Sequence, residues 1–198
     1  MEMKELYNTN GYVLIKNFLD ITPMQCELPK PPDRGKIILY QKGEPINRKF
    51  DKSVPNCSGY RMHPRLAKFV PDVQQKLQSI LNLRLYKTYY LERFYYNKMG
   101  IKTHTDNGGC EISLSVCVNK DSNSKTSFLI EKDEKTISID TQIGDAILYK
   151  GCEVKHGRSP LEGDSNSFIH QVFFHFVNAD GPNLHWAYDA MFNGGIHQ

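Results

Sequence analysis

The chain has 198 residues, of which 39% are hydrophobic and 24% charged, so it is long enough to form one domain with a buried core. Its mean hydropathy is −0.52, and no apolar run approaches the roughly 18 residues of a membrane span. The opening residues also lack the basic-then-apolar order of a secretory signal, so we expect a cytoplasmic protein without a membrane partner.

The charges and cysteines narrow the class of protein further. The net charge of +3 is too small to favour a nucleic-acid partner, yet all 25 Lys and Arg residues lie at or before Arg158. Any cationic group that binds an anionic ligand must therefore come from the first 158 residues. The five cysteines are scattered and contain no CxxC pair, which argues against a disulfide framework and a thiolate zinc site.

Residues 1–85 are predicted to form an N-terminal support region. Residues 11–18 and 36–41 have the pattern of strands, and the Pro-rich stretch between them is expected to be irregular. From Pro64 to Leu81 apolar residues recur at helical spacing, and Pro71 is expected to break or restart that helix.

After residue 85 the hydrophobic period changes from 3.6 to 2, which indicates a barrel core over residues 86–178 followed by a tail over 179–198. Several short strands without intervening helices indicate an antiparallel barrel or sandwich. We therefore predict one mainly β (α+β) domain over 1–198, a jelly-roll or cupin-like double-stranded β-helix supported by helices on one face. The predicted strands are 86–96, 111–119, 126–131, 135–139, 145–150 and 167–178.

The predicted strand at 111–119 has two chemically different faces. Ile112, Leu114, Val116 and Val118 alternate with polar residues and Cys117. The apolar face is expected to pack on the N-terminal helices, and the polar face is expected to line the barrel interior.

His104 and Asp106 form an HxD motif between two predicted strands. On an extended chain both side chains point to the same side, but the motif alone is weak evidence for a site. About 50 residues later the strand Asp145–Lys150 is followed by His156. Two histidines and one carboxylate on barrel strands are the ligand set of a mononuclear non-haem Fe(II) site.

At this point the sequence resembles the 2-oxoglutarate and Fe(II)-dependent oxygenases, particularly their prolyl 4-hydroxylase-like branch. The resemblance covers residues 86–178, about half of the chain. Its landmarks, in order, are Arg93 with Tyr95, His104-Thr-Asp106, Cys110-Glu-Ile-Ser113, Gly144-Asp-Ala146 with Tyr149, His156-Gly-Arg158 and Gln171-Val-Phe-Phe-His175.

The resemblance implies that His104, Asp106 and His156 bind Fe(II). The co-substrates would be 2-oxoglutarate and dioxygen, with ascorbate as an accessory reductant, and no catalytic residue beyond the metal ligands is implied. Many relatives place a basic residue about ten positions after the distal histidine, and this chain has none there. Arg158 is therefore our first candidate for binding the far carboxylate of 2-oxoglutarate, because a guanidinium can hold a carboxylate through two hydrogen bonds.

Arg93 is the second candidate for that carboxylate, and the hydroxyl of Tyr95 is a further possible contact. Each candidate also has a purely structural interpretation. Arg158 could form a surface salt bridge with Glu162 or Asp164, Arg93 could pair with Glu92 or Asp106, and Tyr95 could serve in packing. We interpret His175 as a structural histidine.

The first functional hypothesis is a hydroxylase of a prolyl or other residue in a peptide or protein. One alternative is a hydroxylase of a free amino acid or other small metabolite, and another is a cupin-like metal-binding module without oxygenase activity. Nucleic-acid demethylation is disfavoured because no dense basic stripe with interleaved aromatic residues is present. A structural capsid-type jelly roll does not explain the ordered His and Asp ligands.

Two regions give little functional information at this level. Residues 28–62 are Pro-rich and basic, and could cover the barrel mouth or simply form a solvated surface. In the tail, His185 and Trp186 could cap the barrel or contact a partner.

Overall fold

The structure is a computed structural model that describes residues 2–26, 31–50 and 57–188, with the backbone alone for residues 47–50. Part of the basic region, including Lys30 and Lys52, and the last ten residues of the tail lie outside the described residues. None of the helices in the described ranges is long and apolar enough to span a membrane.

Four α-helices form the N-terminal support. In α4 the buried side chains Val73, Leu77 and Leu81 follow the helical spacing that the sequence predicts, and Pro71 lies in the first turn. The predicted helix over 64–81 is therefore two helices, with Pro71 restarting the second. The helices are α1 (Met3–Asn10), α2 (Thr22–Cys26), α3 (Pro64–Ala67) and α4 (Val70–Leu81).

Twelve strands lie in the described residues, and the predicted strands match eight of them within a few residues. Four strands were missed, namely β3, β4, β6 and β11 as bounded below. The strands are β1 (Tyr12–Ile15), β2 (Lys36–Gln41), β3 (Glu44–Phe50), β4 (Ser58–Arg61), β5 (Leu85–Tyr96), β6 (Ile101–His104), β7 (Ile112–Lys120), β8 (Phe128–Lys132), β9 (Lys135–Ile139), β10 (Ala146–Tyr149), β11 (Lys155–Arg158) and β12 (Phe168–Asn178).

The strands form two sheets that pack face to face. The large sheet has the order β1-β10-β7-β12-β5-β4-β2-β3, and the small sheet has the order β6-β11-β8-β9. Neighbouring strands are antiparallel except for the parallel pair β2 and β4. Between the sheets, Phe128, Ile130 and Ile139 of the small sheet pack with Ile147 and Tyr149 of the large one. This arrangement confirms the predicted jelly-roll fold.

The main hydrophobic core lies on the other face of the large sheet, under the helices. Leu114 and Val116 of β7 are fully buried there against Leu66 of α3 and Leu77 of α4. The apolar face predicted for this strand is therefore confirmed, and helices support the barrel on one face as expected.

The structure corrects one prediction in the Pro-rich stretch. Pro23 was expected in irregular chain, but it lies in the short helix α2. Proline is tolerated there because the N–H groups of the first helical turn have no partner within the helix.

Candidate metal centre

The two predicted histidine ligands lie on neighbouring strands of the small sheet. His104 ends β6, His156 lies on β11, and the two residues are directly opposite each other in the antiparallel pairing. Between His156 and Arg158, a Cβ atom on Gly157 would lie 2.6 Å from the carbonyl oxygen of Ile101. Glycine at this position therefore lets the two strands approach closely enough to bring the imidazoles together.

Asp106 reaches the histidines from the loop that follows β6. Its backbone N–H donates to the carbonyl of Gly151 at 2.9 Å, which holds this loop against the turn before β11. One carboxylate oxygen lies 3.5 Å from Nε2 of His104, and the other lies 3.3 Å from Nε2 of His156. One donor atom from each side chain lies within 4.8 Å of the others, so the three residues could hold one metal ion.

Backbone carbonyls fix the orientation of both imidazoles. Nδ1 of His104 donates to the carbonyl of Lys102 at 2.8 Å, and Nδ1 of His156 donates to the carbonyl of Val154 at 2.9 Å. The Nε2 atoms of both rings therefore point toward Asp106, which is the arrangement that metal-binding histidines show.

The electrostatics of the cluster keep the carboxylate ionised. Burial raises the pKa of Asp106, but the hydrogen bonds from His104 and His156 outweigh burial and hold that pKa well below its usual range. The hydrogen bond to Asp106 raises the pKa of His104. A metal cation bound between the three side chains would stabilise the Asp106 carboxylate in place of the hydrogen bonds from His104 and His156.

The cluster opens into a cavity of about 160 Å³ between the two sheets. Aromatic and aliphatic side chains make up one part of its wall, and cationic and polar side chains make up another. The residues around it are Tyr89, Leu91, Arg93, Tyr95, Ile101, His104, Asp106, Phe128, Tyr149, His156, Gly157, Arg158, Gln171, Phe173 and His175.

Arg158 lies in the wall of this cavity with only 2% of its surface exposed. Its Nε donates to Oε1 of Gln171 at 3.0 Å, and its Nη1 lies 3.4 Å from Oγ1 of Thr126. Within the described residues its buried Nη2 has no hydrogen-bond partner. Burial lowers the pKa of Arg158, so the guanidinium lies in an environment that favours a bound anion. The surface salt bridge with Glu162 or Asp164 is not formed.

Arg93 and Tyr95 line the same cavity from β5. The guanidinium of Arg93 lies 5.9 Å from the centre of the Tyr95 ring, and that of Arg158 lies 5.4 Å from it. Burial raises the pKa of Tyr95, which is packed among apolar side chains. The structure thus brings all six predicted site residues to one cavity.

Glu92 does not pair with Arg93, because neighbouring side chains of a strand point to opposite faces. On the helix side of the large sheet, a carboxylate oxygen of Glu92 accepts hydrogen bonds from Arg65 of α3 and from Nε2 of His170, the latter at 2.9 Å. Glu92 and His170 are both fully buried. The hydrogen bonds from His170 and Arg65 lower the pKa of Glu92 despite the opposing effect of burial.

His175 lies on the cavity side of β12. Its Nδ1 is 2.8 Å from Oγ of Ser113, and this hydroxyl in turn donates to the carbonyl of Cys110. Burial lowers the pKa of His175 to about 4, so the ring is neutral near pH 7. A hydrogen-bonded neutral histidine is what the structural interpretation predicts.

Sequence reasoning missed the residues that hold Arg158 in place. Gln171 was noted only as a family landmark, and Thr126 only as the start of a predicted strand. Strands β6 and β11 were also missed as strands, because their short sequences are mostly polar and lack the runs of apolar residues that mark β1 and β10.

Comparison with protein-family models gives no match, and a search of curated proteins also finds none.

Solved structures, in contrast, match over most of the chain. An oxidoreductase of the 2OG-Fe(II) oxygenase family from Burkholderia pseudomallei has 12% identity and a TM-score of 0.63, covering 91% of this chain and 92% of its own. A prolyl hydroxylase from Trichoplax adhaerens, in complex with a hypoxia inducible factor peptide, has 15% identity, coverage of 88% and 87%, and a TM-score of 0.61.

HygX from Streptomyces hygroscopicus, with nickel, 2-oxoglutarate and hygromycin B bound, has 11% identity, coverage of 86% and 85%, and a TM-score of 0.62. These similarities establish that the chain has the fold of the 2-oxoglutarate and Fe(II)-dependent oxygenases, as the sequence motifs predict.

Proposed function

We propose that this protein is an Fe(II)- and 2-oxoglutarate-dependent dioxygenase that hydroxylates an unactivated C–H bond. The observation that carries the proposal is the combination, in one cavity, of His104, Asp106 and His156 with the buried guanidinium of Arg158. Solved structures with the same fold support it.

His104, Asp106 and His156 would hold Fe(II). A site with two imidazoles and one carboxylate would leave coordination positions open to ligands from the cavity. Bound iron would supply the oxidation, in which one oxygen atom of dioxygen enters the substrate C–H bond and the other enters succinate as 2-oxoglutarate loses CO₂. Ascorbate would keep the iron reduced.

Arg158 would bind the far carboxylate of 2-oxoglutarate. Gln171 and Thr126 orient its guanidinium, and the buried Nη2 has no hydrogen-bond partner among the described residues, so it is free to donate to a ligand. A carboxylate there would replace the hydration that Arg158 loses on burial. Arg93 is the second candidate for this contact, and the hydroxyl of Tyr95 is a third. A metal-binding module without oxygenase activity does not explain why a buried arginine lines the same cavity as the metal cluster.

The substrate is proposed to be a prolyl or other residue in a peptide or protein. Strand β6 is an edge strand of the small sheet, since within the described residues it pairs with β11 alone. A groove beside β6 shares Ile101, His104 and Arg158 with the metal cavity. An extended peptide could therefore lie along this edge with one side chain at the metal.

Anaerobic absorption spectroscopy tests the proposed function directly. Purified protein is mixed with Fe(II), and 2-oxoglutarate is then added. We expect a weak visible charge-transfer band that requires both additions and is absent from Asp106→Ala. Iron binding without this band would refute the 2-oxoglutarate pocket and favour the cupin-like alternative.

Substrate panels test the finer part of the proposal. Proline-containing peptides, free amino acids and methylated oligonucleotides are each incubated with Fe(II), 2-oxoglutarate and oxygen, and succinate formation and mass change are measured. Hydroxylation of peptides is expected. Turnover of free amino acids alone would favour the small-metabolite alternative, and turnover of the oligonucleotides alone would refute the peptide assignment.

We also propose that the protein acts in the cytoplasm. Its five cysteines are all free thiols, as is usual in a reducing compartment.

A further inference from the structure

The C-terminal segment, residues 179–188, packs against the loop that carries Asp106. The 3-10 helix Leu184–Trp186 lies on a second 3-10 helix, Gly108–Cys110. A Cβ atom on Gly108 would lie 2.5 Å from Nε1 of Trp186, and one on Gly109 would lie 3.3 Å from the same indole. The two glycines therefore provide the flat backbone surface that the indole covers.

The barrel holds the other side of this short helix. Thr88 of β5 donates from its hydroxyl to the carbonyl of Gly109 at 2.6 Å, and the side chain of Asn107 accepts from the N–H of Gly109 at 3.0 Å. The helix Gly108–Cys110 is thus clamped between β5 and Trp186. Asp106 lies two residues before this helix. Contacts that hold the helix in place therefore also fix the backbone conformation that follows Asp106.

We propose that Trp186 is a positioning residue that holds Asp106 in place to bind the metal ion. This inference rests on the proposed function, since it assumes that Asp106 is a metal ligand. Trp186 is not among the residues that line the cavity, so its proposed effect on Asp106 is exerted through the backbone of Gly108 and Gly109.

The C-terminal segment has anchors that do not involve the indole. The N–H of Tyr188 donates to the carbonyl of Lys87 at 2.7 Å, and the side chain of Arg84 forms an ion pair with Asp180 at 2.6 Å. Loss of the indole should therefore leave this segment attached next to β5, while Gly108 and Gly109 lose the ring that packs on them.

The test is a titration of the full chain with Co(II) alone, followed by its visible absorption. We expect Trp186→Ala to weaken Co(II) binding about tenfold, the lower end of the effect of removing groups that orient metal ligands. Trp186→Phe should restore most of the affinity, because a ring still covers the glycines. Leu184→Ala is the matched control, since Leu184 is exposed in the same 3-10 helix. Thermal unfolding of each metal-free variant checks that the protein is folded.

A double-mutant cycle keeps the proposal testable if one variant is unstable. Gly108→Ala alone should weaken Co(II) binding because its methyl group would lie 2.5 Å from Nε1 of Trp186 and 2.7 Å from Oδ1 of Asn183. Adding Trp186→Ala removes the first of these collisions and should recover part of the loss. Independent losses in the double variant, or unchanged affinity in Trp186→Ala, would overturn the positioning role. If the wild-type chain itself binds no Co(II), the proposed metal centre is wrong as well.

Discussion

Replacing Arg158 tests the 2-oxoglutarate pocket most directly. Arg158→Met removes the charge and the hydrogen-bonding fork but retains much of the apolar volume. Arg158→Lys retains the charge but loses the planar fork that matches a carboxylate. Because Arg158 is almost fully buried and is already oriented by Gln171, little rearrangement is needed for it to bind an anion.

The size of the effect follows from that burial. Removing one partner of a buried, hydrogen-bonded charge pair costs roughly 2–5 kcal/mol of binding free energy. Since each 1.4 kcal/mol is about a factor of ten, a loss of about 3 kcal/mol raises the KM for 2-oxoglutarate more than about 100-fold. Arg158→Lys should show an intermediate increase, because it retains the charge.

The assay measures succinate formation against 2-oxoglutarate concentration, together with Co(II) affinity as a measure of the metal centre. Arg158→Met should change Co(II) affinity less than about threefold, because the guanidinium that this substitution removes is not a proposed metal ligand. Lys135→Met is the matched control, since it removes an exposed cation from β9, at the other edge of the small sheet. An unchanged requirement for 2-oxoglutarate in Arg158→Met would refute the reasoning and transfer the assignment to Arg93.

Three further substitutions test other parts of the structure. Asp106→Ala should weaken Co(II) binding more than about 100-fold and abolish turnover in a folded protein, as checked by circular dichroism, and full activity would refute the ligand assignment. Glu92→Gln should lower the free energy of unfolding in urea by about 3–5 kcal/mol, because it leaves Arg65 and His170 buried without their anion, whereas a loss below about 1 kcal/mol would contradict that account. His175 has its pKa lowered from 6.5 to about 4 on folding, so the unfolded chain binds more protons between these values and stability is lost as pH falls through this range, by of the order of 3 kcal/mol. His175→Gln should remove that part of the pH dependence, and an unchanged profile would show that another group causes it.

The fold was predictable because its signals are local and periodic. The alternation along β5, β7 and β12 and the helical spacing in α4 are long enough to read from one sequence. The basic region was less readable: β3 and β4 extend the large sheet beside β5, and Arg61 at the end of β4 stacks 3.5 Å from the centre of the Tyr89 ring in the cavity wall.

The candidate site was predictable to a different degree for each kind of residue. The candidate metal ligands His104, Asp106 and His156 belong to only two residue types and occur in a fixed order along the chain. A sequence motif can therefore identify them. The partners of Arg158 could not be found in this way, because Gln171 lies on β12 and Thr126 lies just before β8, and only the folded arrangement brings them to Arg158. The contact between Trp186 and Gly108 could not be predicted for the same reason, since it joins the tail to a loop that lies far away in the chain.

With the proposed metal bound, the pairing of His104 with His156 across β6 and β11 would also affect how much of the protein is folded. The two side chains are about 50 residues apart in the chain, so the unfolded polypeptide cannot present them together, and an ion that needs both binds the native state alone. By mass action, metal at 100 times its dissociation constant would add about 2.7 kcal/mol to the free energy of unfolding. The abundance of this protein would then follow the supply of the metal, because chain that unfolds without metal is open to proteolysis.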